Sequence, residues 1–174
     1  MPFSDLTPNS LQVGLGSAPR LLSSTDLRRV FVELARFAFD TYATLPDGGA
    51  SVGDAGRTRE LVVQSAQRIL TTTVALSTSQ QIDEALDVFS VVEARLPATY
   101  LLWQATITSH QPVTGETARA LLDRTLFPGR APAFERLGPN RLGTGIRTIL
   151  SDGHGRLTVE PLVTRPDALF VHTP

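Results

Sequence analysis

The chain has 174 residues, of which 41% are hydrophobic and 19% are charged, and its formal net charge is −1. This composition is typical of a globular domain and gives no general attraction to nucleic acid or to acidic membranes. Cysteine is absent, which excludes disulfides, thiolate metal sites and cysteine nucleophiles. All sixteen basic residues are arginine, so a lysine Schiff base and a lysine general base are excluded as well.

The sequence has no predicted membrane segment. Its apolar runs are shorter than the roughly eighteen residues that cross a bilayer. The first ten residues, MPFSDLTPNS, lack the basic and apolar parts of a signal peptide. We therefore expect a cytoplasmic location and no membrane partner.

The first part of the chain predicts an irregular lead-in and two helices. Residues 1–22 mix Pro, Gly and Ser with few apolar residues, which predicts an irregular segment with one short strand. Residues 23–42 predict a helix, because apolar residues recur at helical spacing after a hydroxyl cap. The glycine-rich residues 43–56 predict a surface loop, at whose end Asp54 is placed to cap a second helix over residues 57–70.

The middle of the chain predicts a strand followed by a helix. β-Branched residues over Leu70 to Leu76 predict a strand, although a continuation of the second helix fits the same pattern. Residues 78–97 predict a helix that begins with a capping box formed by Thr78 and Gln81.

A clear alternation of side chains then predicts a strand over residues 99–109. The large apolar side chains at odd positions share one face, so Trp103 is expected in the core. Residues 113–127 predict a further helix capped by Thr114, and residues 128–145 predict a loop.

The last thirty residues predict three strands joined by two tight turns. The order of elements predicts an α+β fold, with an antiparallel or mixed sheet, about four helices packed mainly on one face, and a three-stranded C-terminal meander. After the lead-in of residues 1–22, we expect residues 23–174 to form a single α+β domain. The sequence shows no internal repeat.

Known catalytic and cofactor-binding motifs are missing from the sequence. There is no P-loop, nucleophile elbow, zinc-peptidase or EF-hand pattern, and Gly14–Gly16 makes no dinucleotide fingerprint, because Pro19 stands where the third glycine is needed. We therefore expect no cofactor and no metal. His110, His154 and His172 are far apart in sequence, and His154 lies between two glycines, which predicts an exposed turn residue.

The segment Arg119 to Arg147 is locally basic, with six arginines against Asp123 and Glu135. Such a segment is able to bind an anion, and the candidate partners are a carboxylate-bearing metabolite, an acidic protein surface and nucleic acid. Nucleic acid is the least favoured of these, because no recognisable module and few aromatic residues accompany the charge. The acidic helix face between Asp83 and Glu93 is a candidate protein partner, within the chain or across a homo-oligomer.

The strongest site prediction comes from the last hairpin. Pairing Asp152 with Gly155 places Arg147 opposite Glu160, on a polar face that also carries Thr158. The simplest interpretation of this face is the water-exposed side of a sheet with a cross-strand ion pair.

The turn at TRPD decides where His172 lies. An odd number of loop residues places His172 on the polar face opposite Thr158, and an even number turns it toward the core. Pro161 lacks the backbone donor, which predicts that its strand lies at an edge or bends there.

These residues define the predicted ligand-binding set: Arg147, Thr158, Glu160 and His172. In the functional interpretation, Arg147 holds an anionic group, while His172 and Glu160 are the candidate catalytic residues for proton exchange.

The favoured hypothesis is a binding domain without intrinsic catalysis. It would bind a small anionic molecule or a protein partner and form a homo-oligomer, through the exposed edge near Pro161 or the arginine-rich segment. The alternative is a small cofactor-free enzyme that acts on a carboxylated metabolite, with an arginine clamp and a histidine as acid or base. A weaker alternative is nucleic-acid contact through the segment Arg119 to Arg147.

Overall fold

The computed structural model of the chain describes residues 8–126, 146–149, 155–162, 164–165 and 167–173. The chain divides into two compact units, Met1–Thr106 and Ile107–Pro174. We call them the N-terminal unit and the C-terminal unit.

The described elements are strands and helices of an α+β protein. Its strands are β1 (Ser10–Ser17), β2 (Thr41–Thr44), β3 (Ala50–Gly53), β4 (Arg59–Val63), β5 (Gln67–Thr72), β6 (Tyr100–Pro112), β7 (Ile146–Ile149), β8 (Arg156–Pro161) and β9 (Ala168–Thr173). Its α-helices are α1 (Ser24–Leu34), α2 (Thr78–Arg95) and α3 (Ala118–Leu126). The α+β class and an antiparallel sheet are confirmed, whereas the described residues hold three α-helices where about four were expected.

The sheet of the N-terminal unit has the strand order β2-β3-β4-β5-β1-β6, with β6 contributing its first half. The pairs from β2 through β1 are antiparallel. Strand β1 lies within the segment that was expected to be an irregular lead-in. It is longer than the short strand predicted there, and it pairs in the interior of this sheet.

One face of this sheet carries the core of the N-terminal unit. Alternate side chains such as Val52, Leu61 and Leu70 are buried there, as the period of two along a strand requires. Helices α1 and α2 contribute Leu27, Val30, Leu34, Val88 and Val92 to the same cluster. The helices therefore pack on this face, as the sequence predicts.

Helix α1 begins where the hydroxyl cap was expected but ends earlier. The Ser23 side chain accepts a hydrogen bond from the backbone N–H of Asp26. The helix ends at Leu34 and is followed by a short 3-10 turn, after which Ala38 adopts a left-handed backbone with φ 62°. This left-handed residue ends the helical path, so Tyr42 lies in β2 and the prediction of a helix through residue 42 was wrong.

The predicted helix over residues 57–70 was also wrong, because this segment forms the β4–β5 hairpin. Leu61 pairs with Leu70, and both point into the core. Short apolar runs fit both the helical and the strand period, so the sequence alone does not distinguish the two structures. Here the pairing of the two strands determines that the segment is a hairpin. The predicted strand over Leu70 to Leu76 is present, but it starts earlier and ends at Thr72.

Helix α2 has a capping box that lies one residue earlier than predicted. Ser77 is the N-cap, and the Gln80 side chain returns to the Ser77 backbone N–H. Gln81, which was predicted to close the box, is fully buried instead, and its Nε2 donates to the Val74 carbonyl at 2.7 Å. The helix ends at Arg95, shortly before Pro97.

The alternation in β6 is present, but the prediction that Trp103 is a core residue was wrong. Leu101 and Trp103 are 76% and 75% exposed. Alternation identifies the two faces of a strand, but the helices that pack on the sheet decide which part of a face is covered. In the N-terminal unit, α1 and α2 leave this part of β6 open.

The C-terminal unit has the strand order β6-β9-β8-β7, with β6 contributing its second half. Every described pair in it is antiparallel. Helix α3 contacts β8, and its cap is Thr117, whose hydroxyl accepts from the Ala120 backbone N–H at 3.2 Å. The expected cap at Thr114 was therefore three residues too early.

The last three strands pair in chain order, but they are not an isolated meander, because β9 also pairs with β6. Strand β8 pairs with β7 over residues 156–159 and with β9 over residues 158–161. Strand β8 therefore lies between β9 and β7 and is not an edge strand, contrary to one alternative predicted from Pro161. Since Pro161 lies beyond the pairs with β7, its missing N–H disturbs no described ladder bond.

Candidate functional site

The C-terminal unit assembles the predicted ligand-binding residues on one sheet face. Arg147 on β7 lies opposite Thr158 on β8, and Thr158 lies opposite His172 on β9. His172 in turn lies opposite Thr108 on β6. These four residues form a continuous row across four strands, which we call the His172 row.

The partner predicted for Arg147 was wrong. The sequence placed Glu160 opposite Arg147, whereas the structure pairs Arg147 with Thr158. The observed register differs from the predicted one by two residues, so every side chain keeps its face and only its partner changes. The pair Asp152–Gly155 and His154, on which the predicted turn depended, lie outside the described residues.

His172 lies on the polar face because the β8–β9 connection has an odd length. The backbone N–H of Leu162 donates to the Ala168 carbonyl at 2.9 Å, so the connecting loop spans residues 163–167. A loop of five residues has an odd length, and the sequence predicts that an odd length places His172 on the polar face. The His172 Nδ1 atom lies 3.4 Å from the Thr108 hydroxyl oxygen, across the β6–β9 pair.

A second row runs parallel to the first along the same face. Glu160 on β8 lies opposite Phe170 on β9, and Phe170 lies opposite His110 on β6. The rings of Phe170 and His172 are stacked, with centroids 5.8 Å apart and planes 12° apart. The His110 and Phe170 rings lie 6.0 Å apart in a tilted arrangement. A half-buried group of three rings therefore lies beside the polar row.

Sequence reasoning did not place Phe170, His110 and Thr108 in this site. Their position depends on the pairing of β6 with β9, which joins residues about sixty positions apart. No short motif signals such a pairing. The alternation in each strand was visible, and it would have placed Phe170 beside His172 once the β9 strand was assigned.

The charged groups on this face lie on β7 and β8. Arg147, Arg156 and Glu160 are exposed, and β8 places Arg156, Thr158 and Glu160 at alternate positions on one side. Among the residues that the structure describes, no ion pair joins Arg147 to Glu160. The two arginines flank Thr158, which gives the end of the His172 row a net positive charge.

Part of the arginine-rich segment makes local contacts. Arg119 pairs with Asp123 at 3.8 Å, and Arg124 pairs with Glu116 at 2.6 Å. The remaining arginines between them and Arg147 lie outside the described residues. The structure shows no run of arginines along one surface in the part that it describes.

Two acidic side chains of α2, Glu84 and Glu93, are paired within the N-terminal unit, whereas Asp83 and Asp87 are exposed. Glu84 forms an ion pair with Arg59, and Glu93 contacts Arg68 and Tyr100. Arg68 is 1% exposed, its Nη2 donates to the Leu96 carbonyl at 2.5 Å, and its guanidinium lies 5.3 Å from the centroid of the Tyr100 ring. These contacts tie the end of α2 to β5 and β6.

Burial raises the pKa of the Tyr100 hydroxyl well above its ordinary value, and the hydrogen bond that it donates to Glu93 acts in the same direction. The nearby Arg68 charge opposes the shift. Tyr100 is therefore a neutral donor at physiological pH. We assign the cluster of Arg68, Glu93 and Tyr100 a structural role, because its polar atoms are directed at one another and at the end of α2.

In the part of the chain that the structure describes, no group of three His, Asp or Glu side chains is arranged to hold a metal ion. No helix in that part of the chain is long and apolar enough to cross a membrane.

No protein-family model and no curated protein matches the sequence. Among solved structures, TBP from Methanococcus jannaschii is similar over 96% of this chain and 85% of that chain, with a TM-score of 0.39 and 9% identity. The substrate-free duplicated taurocyamine kinase from Schistosoma mansoni is similar over 98% of this chain, with a TM-score of 0.39 and 10% identity. The chain spans 30% of that kinase.

Proposed function

We propose that the protein binds a small carboxylate-bearing molecule at the His172 row, without catalysing its conversion. The observation that supports this most is the unbroken row of Arg147, Thr158, His172 and Thr108 across four paired strands. A row of this kind presents cationic and neutral donors in one line, about 4.8 Å apart from strand to strand.

The chemistry of the row fits a carboxylate. The guanidinium of Arg147 presents parallel N–H donors that match the two oxygens of a carboxylate, and the Thr158 hydroxyl beside it is a further donor. His172 is a donor from one or both of its ring nitrogens. Arg156 lies at the next position along the same face of β8 and adds a second positive charge.

The three rings beside this row fit the apolar part of the same molecule. The Phe170 ring lies between the His110 and His172 rings, and all three side chains are half-buried. An aromatic ring gains stabilisation by packing against such a platform in an offset or tilted geometry. An aromatic carboxylate therefore fits both rows, since its ring contacts Phe170 while its carboxylate lies near Arg147.

The geometry favours binding over the alternative of acid–base catalysis. A catalytic imidazole is usually oriented by a neighbouring carboxylate or carbonyl. His172 contacts the Thr108 hydroxyl and the Phe170 ring, whereas Glu160 lies opposite Phe170. Glu160 is therefore displaced by one row from the position in which it would orient His172.

Benzoate and benzamide make a matched pair of probes, because they share a ring and differ in charge. We expect isothermal titration calorimetry to show saturable binding of benzoate and binding of benzamide that is weaker by about tenfold or more, since hydrogen bonds to charged groups contribute about 1.5–3 kcal/mol. Arg147→Gln should reduce benzoate binding by a similar factor. Arg165→Gln is the control, because Arg165 is an exposed arginine of the same unit that pairs with Asp167.

Equal binding of the two probes, or unchanged benzoate binding in Arg147→Gln, would contradict the proposal. Absence of saturable benzoate binding would contradict it as well. Retained binding by Arg147→Gln together with loss in Arg165→Gln would move the site to the β8–β9 loop.

We further propose that the protein self-associates through the exposed apolar part of β6. Leu101 and Trp103 project from the same face of the strand and are both about three-quarters exposed. Monomeric soluble proteins rarely expose adjacent large apolar side chains, and Trp is enriched at the centres of protein interfaces. The segment lies in the N-terminal unit, so this surface differs from the edge near Pro161 that the sequence predicted.

Sedimentation velocity over a range of protein concentrations tests this surface. The wild type is expected to dimerise, and the double variant Leu101→Ser and Trp103→Ser is expected to be monomeric. Leu21→Ser is the control, because Leu21 is 98% exposed but lies elsewhere in the chain. A monomeric wild type at high concentration would exclude self-association.

A further inference from the structure

The N-terminal unit has a groove on the sheet face opposite its core. Along β1, Val13 and Leu15 pack against the core cluster, so Gly14 and Gly16 lie on the other face by alternation. Because neither glycine has a side chain, the backbone of β1 forms the floor of the groove between β5 and β6. The groove has a volume of about 160 Å³.

Two apolar side chains form the walls of this groove. Ile69 on β5 lies opposite Gly14, and Leu102 on β6 lies beside Gly16. A Cβ atom placed on Gly16 would lie 3.5 Å from the Leu102 Cβ, which is ordinary contact distance. A Cβ atom on Gly14 would have no heavy atom within 4 Å, so the space above Gly14 is open.

The rim of the groove is polar and uncharged. It carries the amides of Gln12, Gln67 and Gln104 and the hydroxyl of Thr106. Two of these groups contact each other, since the Gln104 Nε2 lies 3.4 Å from the Thr106 hydroxyl oxygen. Among the described residues that line the groove, none is charged.

This lining selects the chemistry of the occupant. A charged ligand would lose hydration without gaining a partner of opposite charge, so an uncharged ligand is favoured. Amide side chains both donate and accept hydrogen bonds, as the hydroxyl groups of a polyol do. The glycine floor and the Ile69 and Leu102 walls fit the flat C–H face of a ring. The small volume restricts the ligand to about one ring, since pockets for drug-sized ligands begin near 300 Å³.

We propose that this groove binds a neutral sugar ring, with the C–H face of the ring on Gly14 and its hydroxyls toward the glutamine amides. The inference is independent of the carboxylate site, because it uses residues of the N-terminal unit alone. The groove is open to solvent along the sheet, so we expect weak binding, with a Kd on the order of 1 mM.

The test uses the 174-residue chain and two probes, methyl β-glucopyranoside and the methyl β-glycoside of glucuronate (glucuronate below), which share a ring and differ only in that a carboxylate replaces the C6 hydroxymethyl group. Two-dimensional ¹H–¹⁵N spectra are expected to show saturable shifts at the Gly14 and Gly16 backbone amides and the Gln104 side-chain amide with the glucoside. Glucuronate should bind at least threefold more weakly.

Gly14→Ala is the main variant, because its methyl group fills the floor without meeting a neighbour. We expect at least a fivefold loss of glucoside affinity. Gln104→Leu should give a similar loss through a different part of the groove, which keeps the test decisive if either variant is poorly folded. Ser51→Ala is the control on β3 of the same sheet, and it should bind as the wild type does.

Absence of saturable shifts with the glucoside would overturn the proposal. Wild-type affinity in both Gly14→Ala and Gln104→Leu, or glucuronate binding as tight as glucoside binding, would overturn it as well. Benzoate titration of the same sample separates this result from the carboxylate proposal, because benzoate is expected to shift C-terminal residues only.

Discussion

The two units resemble each other in part of their strand order but differ in what they bury. In each, a first strand is followed by a helix and then by antiparallel strands, of which β5 pairs with β1 and β9 pairs with β6, but the N-terminal unit also contains α2 and the first half of β6. The N-terminal unit buries a large apolar cluster between its sheet and two helices. Most side chains described on the strands of the C-terminal unit are half-buried.

The exposed chemistry of the two units differs as well. The N-terminal unit presents a glycine floor with neutral amides, and the C-terminal unit presents three rings with arginines and a glutamate. Similar topologies therefore carry different surfaces, because alternate residues of a strand are free to change on one face while the other face maintains packing.

The largest effect is expected in the N-terminal core. Leu61→Ala removes a fully buried side chain and should lower the free energy of unfolding by about 3–4 kcal/mol. Leu157→Ala, at a half-buried position of β8, should cost about 1–2 kcal/mol, because less apolar area is lost. Urea unfolding followed by circular dichroism measures both. Equal losses of unfolding free energy in the two variants would contradict the difference in burial between the two units.

Loss of the buried arginine should be nearly as large. Arg68→Ala leaves the Leu96 carbonyl without its donor and Glu93 without its buried partner, which should cost about 3 kcal/mol. Arg95→Ala is the matched control, since Arg95 and its partner Glu33 are both partly exposed, and its cost should stay below about 1 kcal/mol. Similar costs in urea unfolding would show that the Arg68 cluster does not stabilise the unit.

A moderate effect with a distinct pH dependence is expected at Tyr100. Tyr100→Phe removes the hydrogen bond to Glu93 and should cost about 1 kcal/mol at neutral pH. Because the pKa of Tyr100 is raised in the folded state above its ordinary value of 10.0, its contribution is fully present below pH 10 and declines as the pH rises further.

Unfolding experiments between pH 7 and pH 11 measure this dependence, and the difference between wild type and Tyr100→Phe should shrink above pH 10. A difference that grows with rising pH would have the wrong sign for a neutral donor. It would show that the folded state favours the ionised tyrosine.

The smallest effect on stability is expected at the proposed binding row. Arg147 is exposed, so Arg147→Gln should change the free energy of unfolding by less than about 0.5 kcal/mol. Thermal unfolding without ligand measures this. A large loss of stability would mean that Arg147 is a structural residue, and its effect on binding would then be indirect.

Much of the local structure was predictable from the sequence. The α+β class, the helix over Thr78–Arg95 and the C-terminal strands followed from periodicity and caps. The shared face of Arg147 and Thr158 followed from alternation, and it survived a wrong register because the shift was an even number of residues. The face of His172 depended on the length of the β8–β9 loop, which the sequence left open.

Other features depended on contacts that no local pattern encodes. The segment over residues 57–70 fits a helix until Leu61 is paired with Leu70. Trp103 lies on an apolar face, but its exposure depends on where the helices end over the sheet. The aromatic group around Phe170 and the groove above Gly14 both require pairings between distant strands.

The most direct test of the proposed carboxylate site follows the histidine side chains during benzoate titration. The chain has three histidines, so selective ¹⁵N labelling of histidine gives a simple spectrum. The His172 imidazole signals should shift saturably in the wild type, and Arg147→Gln should need about tenfold more benzoate to reach the same shift. Saturable benzoate binding that leaves His172 unaffected, or the same titration curve in both proteins, would show that the row of Arg147, Thr158 and His172 is not the binding site.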